Sequence, residues 1–315
     1  MAKPYWSGVF PAVTTQLKKD QSLDLVAQAK HLEVLIDSGV SGLVICGSLG
    51  ENQTLQPAEK RAVVKHAIEV AKDRVPVVSG VAESSTRAAV EYVQDVQKLG
   101  AAGVMLMPPM SYKGDPRESM SYLRAVARQG GLNVMIYNNP ISYANDITPA
   151  MFSELADEKL FVAIKESSAD TRRITEIHNA IGGRYAVFTG VDDLVLEASI
   201  LGLDGWVAGS GLGIPYENQQ LWDLTRAGRW DEARDLFRWA QPLMKLDTHV
   251  HFIQYIKLLI QQAGLGNEWV REPRLPITGE ERARVLEIIR KSFAKRPKPA
   301  GKSKSTSKGS STTRR

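Results

Sequence analysis

The feature that most constrains this chain is a repeat. Eight short apolar runs begin at Gly8, Gly42, Pro76, Gly103, Asn133, Leu160, Tyr185 and Gly205, stepping by 34, 34, 27, 30, 27, 25 and 20 residues. Each step has room for one strand, one helix and two turns. Between the runs, apolar residues recur at helical spacing, as at Leu25, Ala29, Leu32 and Ile36, with Gly39 as a stop signal. Thr148-Pro149 supplies an N-cap and a first-turn proline, predicting a helix to about Ala156. Eight such units over roughly 220 residues suit an α/β chain folded as a closed (β/α)8 TIM barrel better than an open doubly wound sheet. No G-x-G-x-x-G opens a helix; Gly209-Ser210-Gly211-Leu212-Gly213 has the wrong spacing and follows the last strand. Three more helical stretches follow, near Trp230 to Lys245, His249 to Ala263 and Thr278 to Ser292, the last opening on a Thr278/Glu281 capping box. The expected plan is a barrel over 1–227, a C-terminal helical appendage over 228–294 packed on it, and a disordered basic tail over 295–315.

The net charge of +5 comes from that tail, which carries eight lysines and arginines and no acid; without them the body stands at −3. A Ser/Thr/Lys/Gly/Pro stretch of this kind buries too little apolar surface to fold. Its charge would give salt-sensitive, sequence-independent contact with nucleic acid, but it has no aromatic residue on which bases could stack. Cys46 is the single cysteine, so an intrachain disulfide is excluded and a reducing compartment fits. The N-terminus lacks an apolar signal core and no run approaches a membrane span, which together point to the cytoplasm.

In a (β/α)8 barrel the reactive groups stand at the C-terminal ends of the strands. Lys165 ends the sixth run, in phase with Phe161 and Ala163. An ammonium buried there costs several kcal/mol, and the usual escape is a depressed pKa that leaves a nucleophilic amine, as Schiff-base chemistry needs. The ordinary alternative is a strand-end lysine reaching into solvent. Tyr137 ends the fifth run in the inward phase of Asn133 and Met135, and neighbouring strands lie ~4.8 Å apart. After the second run, Gly47-Ser48-Leu49-Gly50-Glu51 offers open backbone N–H groups and a hydroxyl to an anion, and Val207 ends the eighth. Amine, phenol, hydroxyl and backbone donors together suit attack on a 2-keto acid or its imine.

These residues also carry a resemblance. Gly47-Ser48-Leu49-Gly50-Glu51, Tyr137-Asn138-Asn139-Pro140 and Ile164-Lys165-Glu166-Ser167-Ser168 resemble the motifs of the dihydrodipicolinate synthase and N-acetylneuraminate lyase family, over roughly residues 5 to 293. Lys257, Gly264 and Arg274-Leu275-Pro276 are similar to that family's C-terminal segment. The resemblance implies Lys165 as imine former, Tyr137 as proton shuttle, Ser48 near the substrate carboxylate, a class I mechanism with no metal or cofactor, and a homotetramer of paired dimers. Leu49 stands where the synthases have threonine, and Ser142 where they carry an arginine; Met110 and Ser111 occupy the positions of their paired tyrosines, with Tyr112 just beyond. Ser111, Tyr112, Asn139 and Ser142 are therefore expected to line the site or complete a relay. The combination looks more like the catabolic branch, with 1-pyrroline-4-hydroxy-2-carboxylate deamination, in hydroxyproline breakdown, as first choice. A sibling 2-keto-3-deoxy acid dehydratase, a pyruvate aldolase or a divergent dihydrodipicolinate synthase is the alternative.

Other readings compete. His249-Val250-His251 has the His-x-His form of metal hydrolases, but it lies beyond the eighth strand, while His31, His66 and His178 fall in helices, so a pair on an appended helix is expected instead. Asp192-Asp193 reads as a helix cap rather than an acid/base pair. Glu51 is expected to hold its loop by accepting backbone N–H bonds, Glu166 to point away from the lumen, and Met105, Met107 and Met110 to pack. A non-catalytic barrel serving as a binding protein is the remaining class.

Overall fold

The computed structural model describes residues 6–109 and 112–297. Its eight strands are β1 Gly8–Val9, β2 Leu43–Ile45, β3 Val77–Val81, β4 Gly103–Leu106, β5 Val134–Asn138, β6 Phe161–Glu166, β7 Ala186–Thr189 and β8 Gly205–Trp206. All pair in parallel, in the order β1-β8-β7-β6-β5-β4-β3-β2. The ring closes between the segments after β1 and in β2, where Val13 N–H donates to the Val44 carbonyl and Val44 N–H to the Pro11 carbonyl, each at 2.9 Å. The expected TIM barrel is the fold.

The helices between the strands are α1 Leu25–Asp37, α2 Pro57–Ala71, α3 Thr86–Leu99, α4 Pro116–Gly130, α5 Pro140–Tyr143, α6 Pro149–Glu154, α7 Arg172–Ile181 and α8 Val195–Ile200, with α9 Pro215–Arg226 after β8. Local chemistry sets their ends. Asp115 accepts from Glu118 N–H while the Glu118 carboxylate accepts from Asp115 N–H, both at 2.9 Å, with Pro116 at the first helical position. Such a cap is worth about 1 kcal/mol. At α6 the expected Thr148 cap forms, and a 3-10 turn over Leu155–Asp157 carries the helical path past Ala156.

α10 Trp230–Met244, α11 Phe252–Gln262 and α12 Gly279–Ala294 form the C-terminal helical layer. α10 packs on α9 and α12, and Trp239 Nε1–H donates to the Ser292 carbonyl at 2.8 Å. The Thr278/Glu281 capping box is a correction: the Thr278 side chain makes no cap bond, and the Glu281 carboxylate instead meets His251 Nδ1 at 2.7 Å and accepts from the Tyr255 hydroxyl at 2.6 Å. Tertiary partners from α11 and the turn before it have claimed the group that local pattern assigns to the helix start. His249 and His251 likewise sit in the turn before α11, not in a helix. Arg296, expected in a disordered tail, is held on α9 by Glu217 at 2.9 Å, and residues 298–315 lie outside the described residues. Among the described residues no helix is long and apolar enough to cross a membrane.

Candidate active site

The top of the barrel is set by one irregularity. Val134 is the register partner of Phe161, yet Met135 pairs with Ala163, so β6 contains an extra residue opposite β5. A straight ladder would put Tyr137 beside Ile164; the bulge brings Lys165 directly across from it. The Lys165 Nζ lies 4.0 Å from the centre of the Tyr137 ring. Both residues are almost fully buried, Lys165 at 6% exposure. Burial pulls the lysine pKa down from its ordinary value, against the opposing pull of Tyr143, Asp247 and Asp192. The proton balance therefore shifts toward the neutral amine. Its stem runs over Gly190: a Cβ there would fall 2.1 Å from Lys165 Cε, so the end of β7 has to be bare.

Lys165 and Tyr137 open into a cavity of about 550 Å³, also lined by Ser48, Leu49, Asn139, Ser142 and Val207. Seven of the expected residues thus converge. Gly47 is buried in the loop behind them and does not line the cavity. Ser111 and Met110 lie outside the described residues. Tyr112 does not join the site: it is 57% exposed and lines a different cavity with Glu83 and Arg117. Tyr143 stands there in its place. Asn139 caps the single turn of α5 through Ser142 N–H at 3.0 Å, and that turn swings Tyr143 back over the barrel. Its hydroxyl is hydrogen-bonded to Ser48 Oγ, and its ring meets Tyr137 edge-on at 5.7 Å. Asn139 Nδ2–H donates to the Tyr137 hydroxyl at 3.1 Å. Burial raises the pKa of both phenols, which holds each in its neutral form.

The Ser48 loop is anchored from below and behind. Thr15 Oγ1–H donates to the Gly50 carbonyl at 2.7 Å and Asn52 Nδ2–H to the Cys46 carbonyl at 2.8 Å. Glu51, in a left-handed backbone conformation, accepts from Arg271 N–H at 2.9 Å and from the Lys257 ammonium, which is wholly buried and also donates to the Trp269 carbonyl at 2.6 Å. Glu51 does hold the loop, but to the C-terminal segment rather than to the loop's own amides. Glu166 is buried away from the cavity, accepting from Asn138 Nδ2–H at 3.0 Å and Ser168 N–H at 2.6 Å.

Asp192 corrects a further expectation. It caps no helix: its carboxylate accepts from Trp206 Nε1–H at 2.9 Å, Gly209 N–H at 3.1 Å, Ser210 N–H at 2.5 Å and the Ser210 hydroxyl at 2.6 Å, so it clamps β7 to the loop after β8. Asp247, in the 3-10 turn Lys245–Thr248, also reaches the cavity, which residue spacing alone does not signal because it is far from Lys165 in the chain. His249, His251 and Glu281 bring ligand atoms within 4.8 Å of one another, and the Nδ1 atoms of both histidines make hydrogen bonds within the cluster. His251 Nδ1 meets Glu281, and His249 Nδ1 accepts from His251 N–H at 3.1 Å.

A buried lysine across from a buried tyrosine at the strand ends of this barrel sets an amine beside a phenol in one cavity. The profile of the Dihydrodipicolinate synthetase family matches residues 5–292. The chain belongs to that family. It is accordingly an enzyme of the class I lyase type, which displaces the non-catalytic barrel as a reading. It is 30% identical over 280 residues to 4-hydroxy-tetrahydrodipicolinate synthase 1 of Halalkalibacterium halodurans, covering 89% of this chain and 95% of the relative. It is 28% identical over 290 residues to the 4-hydroxy-tetrahydrodipicolinate synthase of Chlorobium chlorochromatii, covering 92% and 98%. Among solved structures, dihydrodipicolinate synthase from Aquifex aeolicus superposes with a TM-score of 0.87 at 26% identity, over 91% of this chain and 98% of that one. A prophage protein of the family from E. coli K12, solved with pyruvate, superposes with a TM-score of 0.86 at 28% identity, over 92% and 99%.

Proposed function

We propose that this family member forms a Schiff base between Lys165 and a small 2-keto acid or cyclic imine, and that its substrate is 1-pyrroline-4-hydroxy-2-carboxylate. The observation that carries the substrate class is the charge of the cavity. Among the described lining residues Lys165 is the single lysine or arginine and Asp247 the single carboxylate. Once Lys165 is consumed in an imine, no other lysine or arginine among the described lining residues is left to pair with a second carboxylate. Hydroxyl and amine groups are served instead by Ser48, Asn139, Ser142 and Thr248. In this reading Lys165 adds to C2 of the ring imine, the ring opens, and a proton leaves C3 to give the enamine. The 4-hydroxyl is then expelled as water, a proton moves from C5 to C3 and the resulting C4–C5 enamine tautomerises to a C5 imine. Hydrolysis of the C5 and C2 imines releases ammonia, 2-oxoglutarate semialdehyde and free Lys165. Tyr137 moves the protons, and Tyr143 passes them to Ser48 within one chain.

A Tyr143→Phe variant is expected to lower turnover about 10²-fold with little change in KM, because it deletes a relay hydroxyl and keeps the ring. Steady-state kinetics check this. The oligomer in the proposal is a homotetramer in the cytoplasm; sedimentation of the full chain should give four times the 34.7 kDa subunit mass, and a monomer would remove that part.

The names of the relatives favour a second reading, a divergent 4-hydroxy-tetrahydrodipicolinate synthase. Parallel assays separate the two. Ammonia release from the pyrroline, with no condensation of pyruvate and an amino-acid semialdehyde, supports the deaminase; the reverse result establishes the synthase.

A further inference from the structure

We propose that Asp247 is a second acid–base group of the Schiff-base site, which gives a proton to the departing hydroxyl as the imine on Lys165 forms. The inference rests on the reading of Lys165 as imine former, and on geometry. β7 and β8 are neighbours, with Thr189 across from Trp206. A glycine follows each, Gly190 directly after β7 and Gly209 three residues after β8, and the place of its missing side chain is taken by a functional group from elsewhere. The Lys165 stem fills the place of a Cβ on Gly190, and the Asp247 carboxylate fills the place of one on Gly209, where all three of its carboxyl atoms would lie 2.5–2.6 Å away. Adjacent strands stand ~4.8 Å apart. Amine and carboxyl enter the same cavity, which Tyr137 and Tyr143 also line, and each feels the other's charge.

The surroundings decide which acid keeps a proton. Burial raises the Asp192 carboxyl above its ordinary range, but the four hydrogen bonds it accepts from Trp206, Gly209 and Ser210 oppose that shift. Asp247 has a buried Oδ1 with no hydrogen-bond partner, although the residue as a whole is partly exposed. Burial and the negative charges of Asp192 and Asp193 push its carboxyl well above the usual range, and only Lys165 opposes them. Tyr137 feels its charge as well, and Tyr143 and His249 are the other titratable groups that line the same cavity. An acid kept neutral beside a neutral amine is what dehydration of a carbinolamine requires.

The step balances. The Lys165 nitrogen adds to C2 of the keto acid, forming N–C while the carbonyl pair moves to oxygen, which takes its proton from the nitrogen by way of the tyrosines. The Asp247 carboxyl then transfers its proton to that hydroxyl. The C–O bond breaks, water leaves, and the nitrogen lone pair makes the C=N bond of the iminium, with the Asp247 carboxylate as its counter-charge. Hydrolysis runs the same path backward.

The test uses the full chain with pyruvate as probe, timing adduct formation by rapid mixing into borohydride and intact-protein mass, from pH 5 to 9. Losing the Asp247 charge removes one group that raises the Lys165 pKa. A purely electrostatic role therefore predicts unchanged or faster attack in Asp247→Asn. The proposal predicts the opposite: adduct formation slower by about 10²-fold, with the acid-dependent limb of the profile lost. Asp247→Glu should recover part of the rate. Gly209→Ala, which displaces the carboxylate without removing it, should slow the step as Asp247→Asn does. Thermal midpoints near wild type for any one of these variants keep the comparison valid. Wild-type rates in Asp247→Asn overturn the proposal alone; no adduct on the wild-type protein overturns it together with the Schiff-base reading.

Discussion

Lys165→Ala is expected to lose turnover by on the order of 10⁴-fold or more, the scale seen when a covalent nucleophile is deleted. No other lysine among the described residues lines the cavity, so no neighbouring amine can substitute. Fold stability should change far less, since the variant exchanges a buried amine held down by desolvation for a small apolar side chain. The wild-type pH profile carries a matching signature. Attack needs the unprotonated amine, and burial lowers the Lys165 pKa. The rising limb of adduct formation, set by deprotonation of Lys165, should therefore lie below the ~10.4 of a free lysine. A rising limb that persists to that value would place Lys165 in water.

Lys257→Ala should destabilise the fold by about 3–5 kcal/mol, measured as a shift in the denaturant midpoint at constant slope. Lys257 and Glu51 side chains are both wholly buried, and removing one leaves a carboxylate with no adequate compensation in a dry interior. Arg274 stands 4.0 Å from Glu51 and Arg271 reaches it only through its backbone amide, so neither replaces the lost ammonium. The damage should reach the active site, because Glu51 belongs to the loop that presents Ser48. A Lys257→Met, Glu51→Gln double variant should cost less than the two single changes summed, since it leaves no orphaned charge.

The barrel was legible because a βα step has a nearly fixed length, and eight steps in succession admit few other folds. Lys165 and Tyr137 were legible for the same reason: the end of a strand is a position in three dimensions as well as in the chain. What escaped depends on tertiary partners. The bulge that sets Tyr137 across from Lys165 leaves no mark in the composition of Leu160 to Lys165. Asp192 looks like a cap beside a helix start, yet the Trp206 indole and the Gly209 and Ser210 amides come to it from the next strand's loop. Glu281 has the spacing of a capping box, and α11 takes it away. Tyr143 offered a faint signal, since Pro140 starts a turn that brings the sixth residue after Tyr137 back over it. Asp247 offered none, lying in the run that resembles a His-x-His motif.

The most direct test of the Schiff-base account is the intact mass of wild type and Lys165→Ala after borohydride reduction with pyruvate. The account predicts a single reduced pyruvate adduct on the wild-type chain and none on the variant. An equal adduct on Lys165→Ala, or none on the wild type across a panel of 2-keto acids, would contradict it.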